Sequence, residues 1–167
     1  ILGGHDRERL FTMLGGAPDP DTLTEDQRET FRLDAGQASL AMSRLWICVL
    51  LQMTLPGVPS VYYGDELGLE GFRDPYNRAT MPWGGGRTDC RNVFRNAIAV
   101  RKTLPVLVDG DFEPFSSGED VFGFWRRGED GGQVCVLANA SLHDAHTVRV
   151  PMVSEAVSDV VSGQAPR

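Results

Sequence analysis

The residues of this sequence that could do chemistry gather in two segments. The first is His5-Asp6, which follows Ile1 to Gly4, a stretch that reads as the end of a strand running into a loop. The second begins at Tyr63-Gly64-Asp65-Glu66 and continues through Gly71-Phe72-Arg73-Asp74-Pro75-Tyr76-Asn77-Arg78. A carboxylate can accept from two hydroxyls, an arginine can donate to others, and Tyr76 and Trp83 offer flat faces for stacking. That mixture suits sugar hydroxyls and pyranose rings. Each feature also has a plainer alternative. A second His-Asp pair, His143-Asp144, lies in a polar turn, so the dipeptide alone says little. Asp74 and Arg78 could form a solvated surface pair worth about 0–1 kcal/mol. Asp65 and Glu66 are adjacent, and neighbours in an extended chain point to opposite faces. They cannot flank one scissile bond, and a strand-capping role fits them better.

The elements that would position these groups follow from spacing. Arg7 to Leu14 reads as a short helix with Asp6 as N-cap, stopped by Gly15-Gly16. Ala17 to Asp26, rich in Pro, Asp and Thr, reads as a surface loop. A long helix is predicted from about Asp34 to Leu55, burying Leu40, Ala41, Leu45, Cys48, Leu51 and Leu55. Pro56-Gly57 ends it, and Val58 to Tyr63 reads as a short strand. Leu67 to Arg87 is a connection too long to be casual, and long ordered loops are often functional. Asn92 to Leu104 returns to helical spacing. Beyond Pro105 the period becomes that of strands, at Val121 to Arg126 and Gln133 to Asn139 around a Gly131-Gly132 turn, with Thr147 to Val150 and Val157 to Val161 as further candidates. The chain therefore splits near residue 105. Before it stands α/β grammar of the kind found in barrels and doubly wound sheets, where functional residues gather at strand C-termini. After it comes a small antiparallel β unit.

Composition narrows the class. The chain has 167 residues, of which 41% are hydrophobic and 23% charged, as in a globular protein. A net charge of −7 disfavours nucleic acid and anionic membranes as partners. The longest apolar run, Leu45 to Leu51, is far shorter than the ~20 residues that span a bilayer. Cys48, Cys90 and Cys135 are an odd count without C-x-x-C spacing, so neither a disulfide framework nor a zinc site is expected, and no cofactor or metal is implied. Neither end carries a start methionine, a signal peptide or a stop pattern, and both read as cut. Targeting signals do not mark a compartment, and a soluble cytoplasmic setting is favoured over secretion.

Taken in order, the segments resemble a known family. Leu2-Gly3-Gly4-His5-Asp6-Arg7-Glu8-Arg9 resembles the fourth conserved stretch of the α-amylase family of glycoside hydrolases. Pro56-Gly57-Val58-Pro59-Ser60-Val61-Tyr62-Tyr63-Gly64-Asp65-Glu66 is similar to the stretch at that family's eighth barrel strand. The continuation from Gly71 to Trp83 is most like the neopullulanase, cyclomaltodextrinase and amylopullulanase subgroup. The likeness runs collinearly from residue 1 to about 126. Beyond that, only the overall pattern fits the family's C-terminal sandwich.

The resemblance implies the last part of a (β/α)8 TIM barrel over residues 1–105 and an incomplete, sandwich-like antiparallel β domain over 106–167. It implies retaining cleavage of α-glucosidic bonds in starch-like glucans, maltooligosaccharides, pullulan or cyclodextrins. By match, Asp6 would be the third carboxylate, which stabilises the transition state without acting as nucleophile. His5 would hydrogen-bond the same sugar, and Asp74 and Arg78 would bind the next sugar toward the non-reducing end. Ala79 stands where the subgroup usually has a second arginine. No pair of carboxylates here suits the ~5–5.5 Å separation that retaining hydrolysis requires. The expectation is therefore an enzyme of which this chain is an inactive C-terminal fragment, able to self-associate through barrel surface left exposed. A transglycosylase or isomerase on the same scaffold is an alternative, as is a non-catalytic carbohydrate-binding or structural module. The last would need an exposed aromatic platform, with Phe122, Phe124 and Trp125 as candidates.

Overall fold

Asp34 and Gln37 start the longest helix by capping each other. The Asp34 carboxylate accepts from the Gln37 amide N–H at 2.8 Å, and the Gln37 side chain accepts from Asp34 N–H at 3.1 Å. This reciprocal bond satisfies two backbone donors that a helix start would leave open. The computed structural model describes residues 2–116, 120–141, 143–150 and 157–161. Its helices are α1 (Leu10–Leu14), α2 (Glu25–Thr30), α3 (Ala35–Thr54), α4 (Thr88–Thr103) and α5 (Val106–Asp109). Its strands are β1 (Asp111–Ser116), β2 (Val121–Arg127) and β3 (Gln133–Asn139). Single 3-10 turns stand at Pro20–Thr22, Asp65–Leu67 and Tyr76–Arg78. The chain divides into two units, one of residues 1–53 with 58–98, the other of 54–57 with 99–167.

The first unit is built on α3. Ala41, Leu45, Val49 and Met53 recur every fourth residue and are fully buried with Leu10 and Phe11 of α1 and Cys90, Phe94 and Ala97 of α4. Each large apolar side chain so buried stabilises the fold by about 1.5–3 kcal/mol. The predicted helix is present, but its buried stripe is rotated. Cys48 and Leu51 are only half-buried, because the face turned to α1 and α4 is the one through Val49 and Met53. Burial also pushes the Cys90 thiol up to about 11, as expected of an inert core cysteine.

Local expectations for this unit are corrected, beginning with α1, which starts at Leu10 with Arg9, not Asp6, at its N-cap. The segment read as a loop up to Asp26 runs into α2, which begins with a full capping box between Thr24 and Gln27. Its T-x-x-Q spacing was legible. Val58 to Tyr63 is not a strand, Tyr63 lying in a turn, nor are residues 2–4. A strand exists only where a neighbour takes its N–H and C=O groups. Among the described residues of this unit no such neighbour is present, and Val58 is 94% exposed.

The second unit holds a three-stranded antiparallel sheet in the order β1-β2-β3. β2 and β3 form a hairpin in which Val121 faces Asn139 and Arg127 faces Gln133, closed by a turn with Gly131 at φ +85°. β1 was not anticipated, because Pro114 lies within it. Its edge position tolerates a residue with no N–H to donate. Phe115 of β1 lies over Gly123, where a Cβ would come within 2.5 Å of the ring. Arg126 is buried and donates to the carbonyls of Thr54 and Leu107 at 2.8 Å and of Gly110 at 2.7 and 3.2 Å. One guanidinium thus ties Thr54, α5 and β2 together within this unit. Burial pulls its pKa down, and the fixed charge of Arg101 adds to that.

The other strands expected here are absent. Thr147 to Val150 and Val157 to Val161 have no strand pairing and are largely exposed, so the described residues form one sheet and not a sandwich. His143-Asp144 lies in the polar turn expected of it, both amides donating to Ser141 Oγ at 3.3 and 3.0 Å. Trp125 and Phe124 are buried, while Phe122 and Phe112 are partly exposed on either side of Phe124.

Candidate active site

Arg9 lies at the end of the first matched segment and is 1% exposed. Its Nη1 donates to the Tyr63 carbonyl and lies 3.4 Å from Asp65 Oδ1, while the guanidinium sits 4.5 Å from the ring centres of both Tyr62 and Tyr63. A buried guanidinium must find acceptors and ring faces inside the protein, since no water replaces them. Arg9 therefore holds residues 2–9 against residues 62–65. Gly3 permits the approach, because a Cβ there would meet the Asp65 carboxylate at 2.0 Å. Asp65 thus does not cap a strand. It is a buried ion partner in a 3-10 turn, and Glu66 Oε2 is buried with no hydrogen-bond partner among the described residues.

A second tie runs through Gly71. Its N–H donates to Thr12 Oγ1 at 2.8 Å, and its carbonyl accepts from Arg9 N–H at 2.9 Å. The Tyr76 carbonyl would lie 2.2 Å from any Cβ at position 71, so only glycine lets the Tyr76–Arg78 turn fold back this closely. The third tie is Asn77, wholly buried, whose Nδ2 donates to the carbonyls of His5 and Arg7 at 2.7 Å each. An exposed ion contact, Arg73 to Glu8 at 3.6 Å, adds little by comparison.

These ties place the expected site residues as follows. His5 and Asp6 stand side by side with their side chains 65% and 78% exposed, His5 Nε2 lying 3.1 Å from Asp6 Oδ2. Asp74 and Arg78 form an ion pair at 2.7 Å, half exposed, at the two ends of the segment whose buried member is Asn77. The backbone on both sides of Asp6 is therefore bonded to a residue adjacent to Arg78. Trp83 is 88% exposed in the following glycine-rich loop, and Tyr76 is half-buried. Tyr63 Oη donates to the Ala79 carbonyl at 2.9 Å, anchoring the far end of the loop. The arrangement is two solvent-facing polar pairs on a floor of buried donors, suited to several hydroxyls of one extended ligand.

Sequence reasoning passed over Arg9, Thr12, Gly71 and Asn77. Arg9 carried a usable signal, a charge directly before the apolar pair Leu10-Phe11 on one short helix. Asn77 carried none, since nothing in type or spacing separates a buried asparagine from an exposed one.

Burial raises the Asp65 carboxyl to about 6, although Arg9 acts to lower it. The sign follows from linkage. Between about pH 4 and pH 6 the folded chain keeps a proton that the unfolded chain has lost, so stability falls as pH rises through that window. The expected loss is on the order of 2 kcal/mol, and Asp65→Asn should flatten it. Urea midpoints of both proteins at pH 4, 5, 6 and 7 check this, and an identical slope in the Asn variant would remove Asp65 as the cause.

Comparison with known proteins adds the following. No protein-family model matches the chain. It is 39% identical over 127 residues to an amylopullulanase of Thermoanaerobacter thermohydrosulfuricus, covering 76% of this chain and 8% of that protein. It is 27% identical over 143 residues to a cyclomaltodextrinase of Thermoanaerobacter pseudethanolicus, covering 84% of this chain and 21% of that one. Its fold matches a debranching enzyme from Nostoc punctiforme with a TM-score of 0.62 at 28% identity, over 83% of this chain and 24% of the other. The chain therefore spans a quarter or less of the length of each of these three proteins.

Proposed function

We propose that this chain, a homologue of the α-amylase-family glycoside hydrolases, forms the sugar-gripping part of a retaining glycosidase active site that acts on α-glucosidic bonds. Asp6 is assigned the carboxylate that holds ring hydroxyls of the sugar at the cleavage point, where such bonds strengthen as the ring flattens. His5 is assigned to the same sugar, and Asp74 with Arg78 to the next sugar toward the non-reducing end. Starch-like glucans, maltooligosaccharides, pullulan and cyclodextrins are the substrate class, in keeping with the relatives' names. The reading assigns nucleophile and general acid to other parts of the enzyme. It takes residues 1–105 as the C-terminal part of a (β/α)8 barrel and 106–167 as a C-terminal β domain.

The observation that carries this reading is the pair of bonds from Asn77 to His5 and Arg7. The two polar pairs come from distant segments, yet their backbones meet at one buried carboxamide, and all four side chains face solvent. A structural ion pair would have no need of such a neighbour. The exposed apolar side chains of Val58, Val61 and Tyr63 support self-association through that segment, and a strictly monomeric chain by light scattering would count against it.

Two experiments on the complete enzyme test the assignments separately. Asp6→Asn should cut kcat by a few hundred-fold, as loss of one group acting on the transition state costs roughly 3–4 kcal/mol. A variant retaining more than a tenth of parental turnover would remove Asp6 from this role. Asp74→Ala and Arg78→Ala should instead lower kcat/KM in a manner that depends on maltooligosaccharide length. Uniform, near-parental values across chain lengths would leave these two residues as an ordinary surface pair.

A further inference from the structure

Asn77 offers a carboxamide with two N–H bonds, and they go to two carbonyls on either side of a single residue. That residue is Asp6, bracketed by His5 and Arg7. The side chains of His5 and Asp6 are mostly in solvent and pair with each other. Their positions are set by the backbone beneath them. Along that backbone, Arg7 N–H donates to the Gly4 carbonyl at 3.3 Å, and the bonds from Asn77 are the shorter at 2.7 Å. Asn77 is itself held in a tight turn, with Tyr76 N–H donating to Arg73 and Arg78 N–H donating to Pro75, at 3.0 and 3.1 Å.

We infer that Asn77 is a positioning residue: it fixes the backbone on which Asp6 stands and transmits to it the placement of the Asp74–Arg78 turn. The inference rests on the reading of Asp6 given above for its catalytic consequence, but not for its geometric part. Because Asn77 is wholly buried, water cannot replace its amide when it is lost. Asn77→Asp is nearly isosteric and replaces the nitrogen that carries both donors with one oxygen facing two carbonyl oxygens. The bracket around Asp6 then becomes repulsive while the volume is kept. Misplacement of a reacting group by about 1 Å can cost on the order of 100-fold in rate.

The test uses the complete enzyme and three variants, Asn77→Asp, Asn77→Ser and Asp6→Asn, with the double variant of Asn77→Asp and Asp6→Asn. Hydrogen exchange of the Gly4–Glu8 amides is measured first. Asn77→Asp should accelerate it by about tenfold or more while α3 and α4 remain protected, and unchanged exchange in this segment would overturn the inference whatever the activity. Turnover is measured next on a maltooligosaccharide. Asn77→Asp should lower kcat by roughly 10- to 100-fold, and the double variant should lose less than about threefold beyond Asp6→Asn alone. Fully additive losses, or near-parental kcat in Asn77→Asp, would overturn the catalytic half. Asn77→Ser, which keeps one donor, should fall between parent and Asn77→Asp and serves if the aspartate variant does not fold. Faster exchange together with an active Asp6→Asn enzyme would leave the bracket in place and defeat the reading of Asp6 instead.

Discussion

A guanidinium that loses its water must be given acceptors by the protein, and the acceptors given to Arg9 decide the layout of the first unit. They are the Tyr63 carbonyl, the Asp65 carboxylate and two aromatic faces, all contributed by a segment far along the chain. A buried guanidinium stripped of its acceptors would be left uncompensated, which costs several kcal/mol. The contact fixes where residues 62–65 lie relative to residues 3–9, and the long loop that follows must begin from that point.

From there the loop is placed by progressively more local bonds. Gly71 exchanges hydrogen bonds with Thr12 and Arg9, and Asn77 closes the sequence at His5 and Arg7. Irregular backbone has no ladder in which to satisfy its polar groups, so buried side chains do so instead. The result is a division of labour. The groups that hold the loops are buried and donate to backbone carbonyls of distant segments, whereas His5, Asp6, Asp74 and Arg78 stay accessible. Such a surface can present several donors and acceptors to a ligand without refolding, because the strain of alignment has been met below it.

Much of this was legible in the sequence and some was not. The α3 helix, β2, β3 and their turn follow from hydrophobic period and glycine placement, which are local properties. The capping boxes at Thr24-Gln27 and Asp34-Gln37 are local as well. Val58 to Tyr63 carries strand-forming side chains, yet a strand also requires a partner that composition cannot supply. Thr147–Val150 and Val157–Val161 fail for the same reason. β1 was hidden by Pro114, whose meaning depends on whether the strand lies at an edge. Among site residues, exposed charged pairs could be proposed from type and spacing. The buried donors beneath them could not, since burial of Arg9 or Asn77 is a property of the packed unit.

In the proposed site, two exposed polar pairs joined underneath by Asn77 hold consecutive sugars of one α-glucan. The most direct measurement is a structure of the complete enzyme with a bound, uncleaved maltooligosaccharide. On this account one sugar has hydroxyls within hydrogen-bond distance, about 2.6–3.2 Å, of both His5 and Asp6. The next sugar toward the non-reducing end is held in the same way by Asp74 and Arg78. An oligosaccharide that touches one pair and runs away from the other, or that lies elsewhere on the enzyme, would contradict the account.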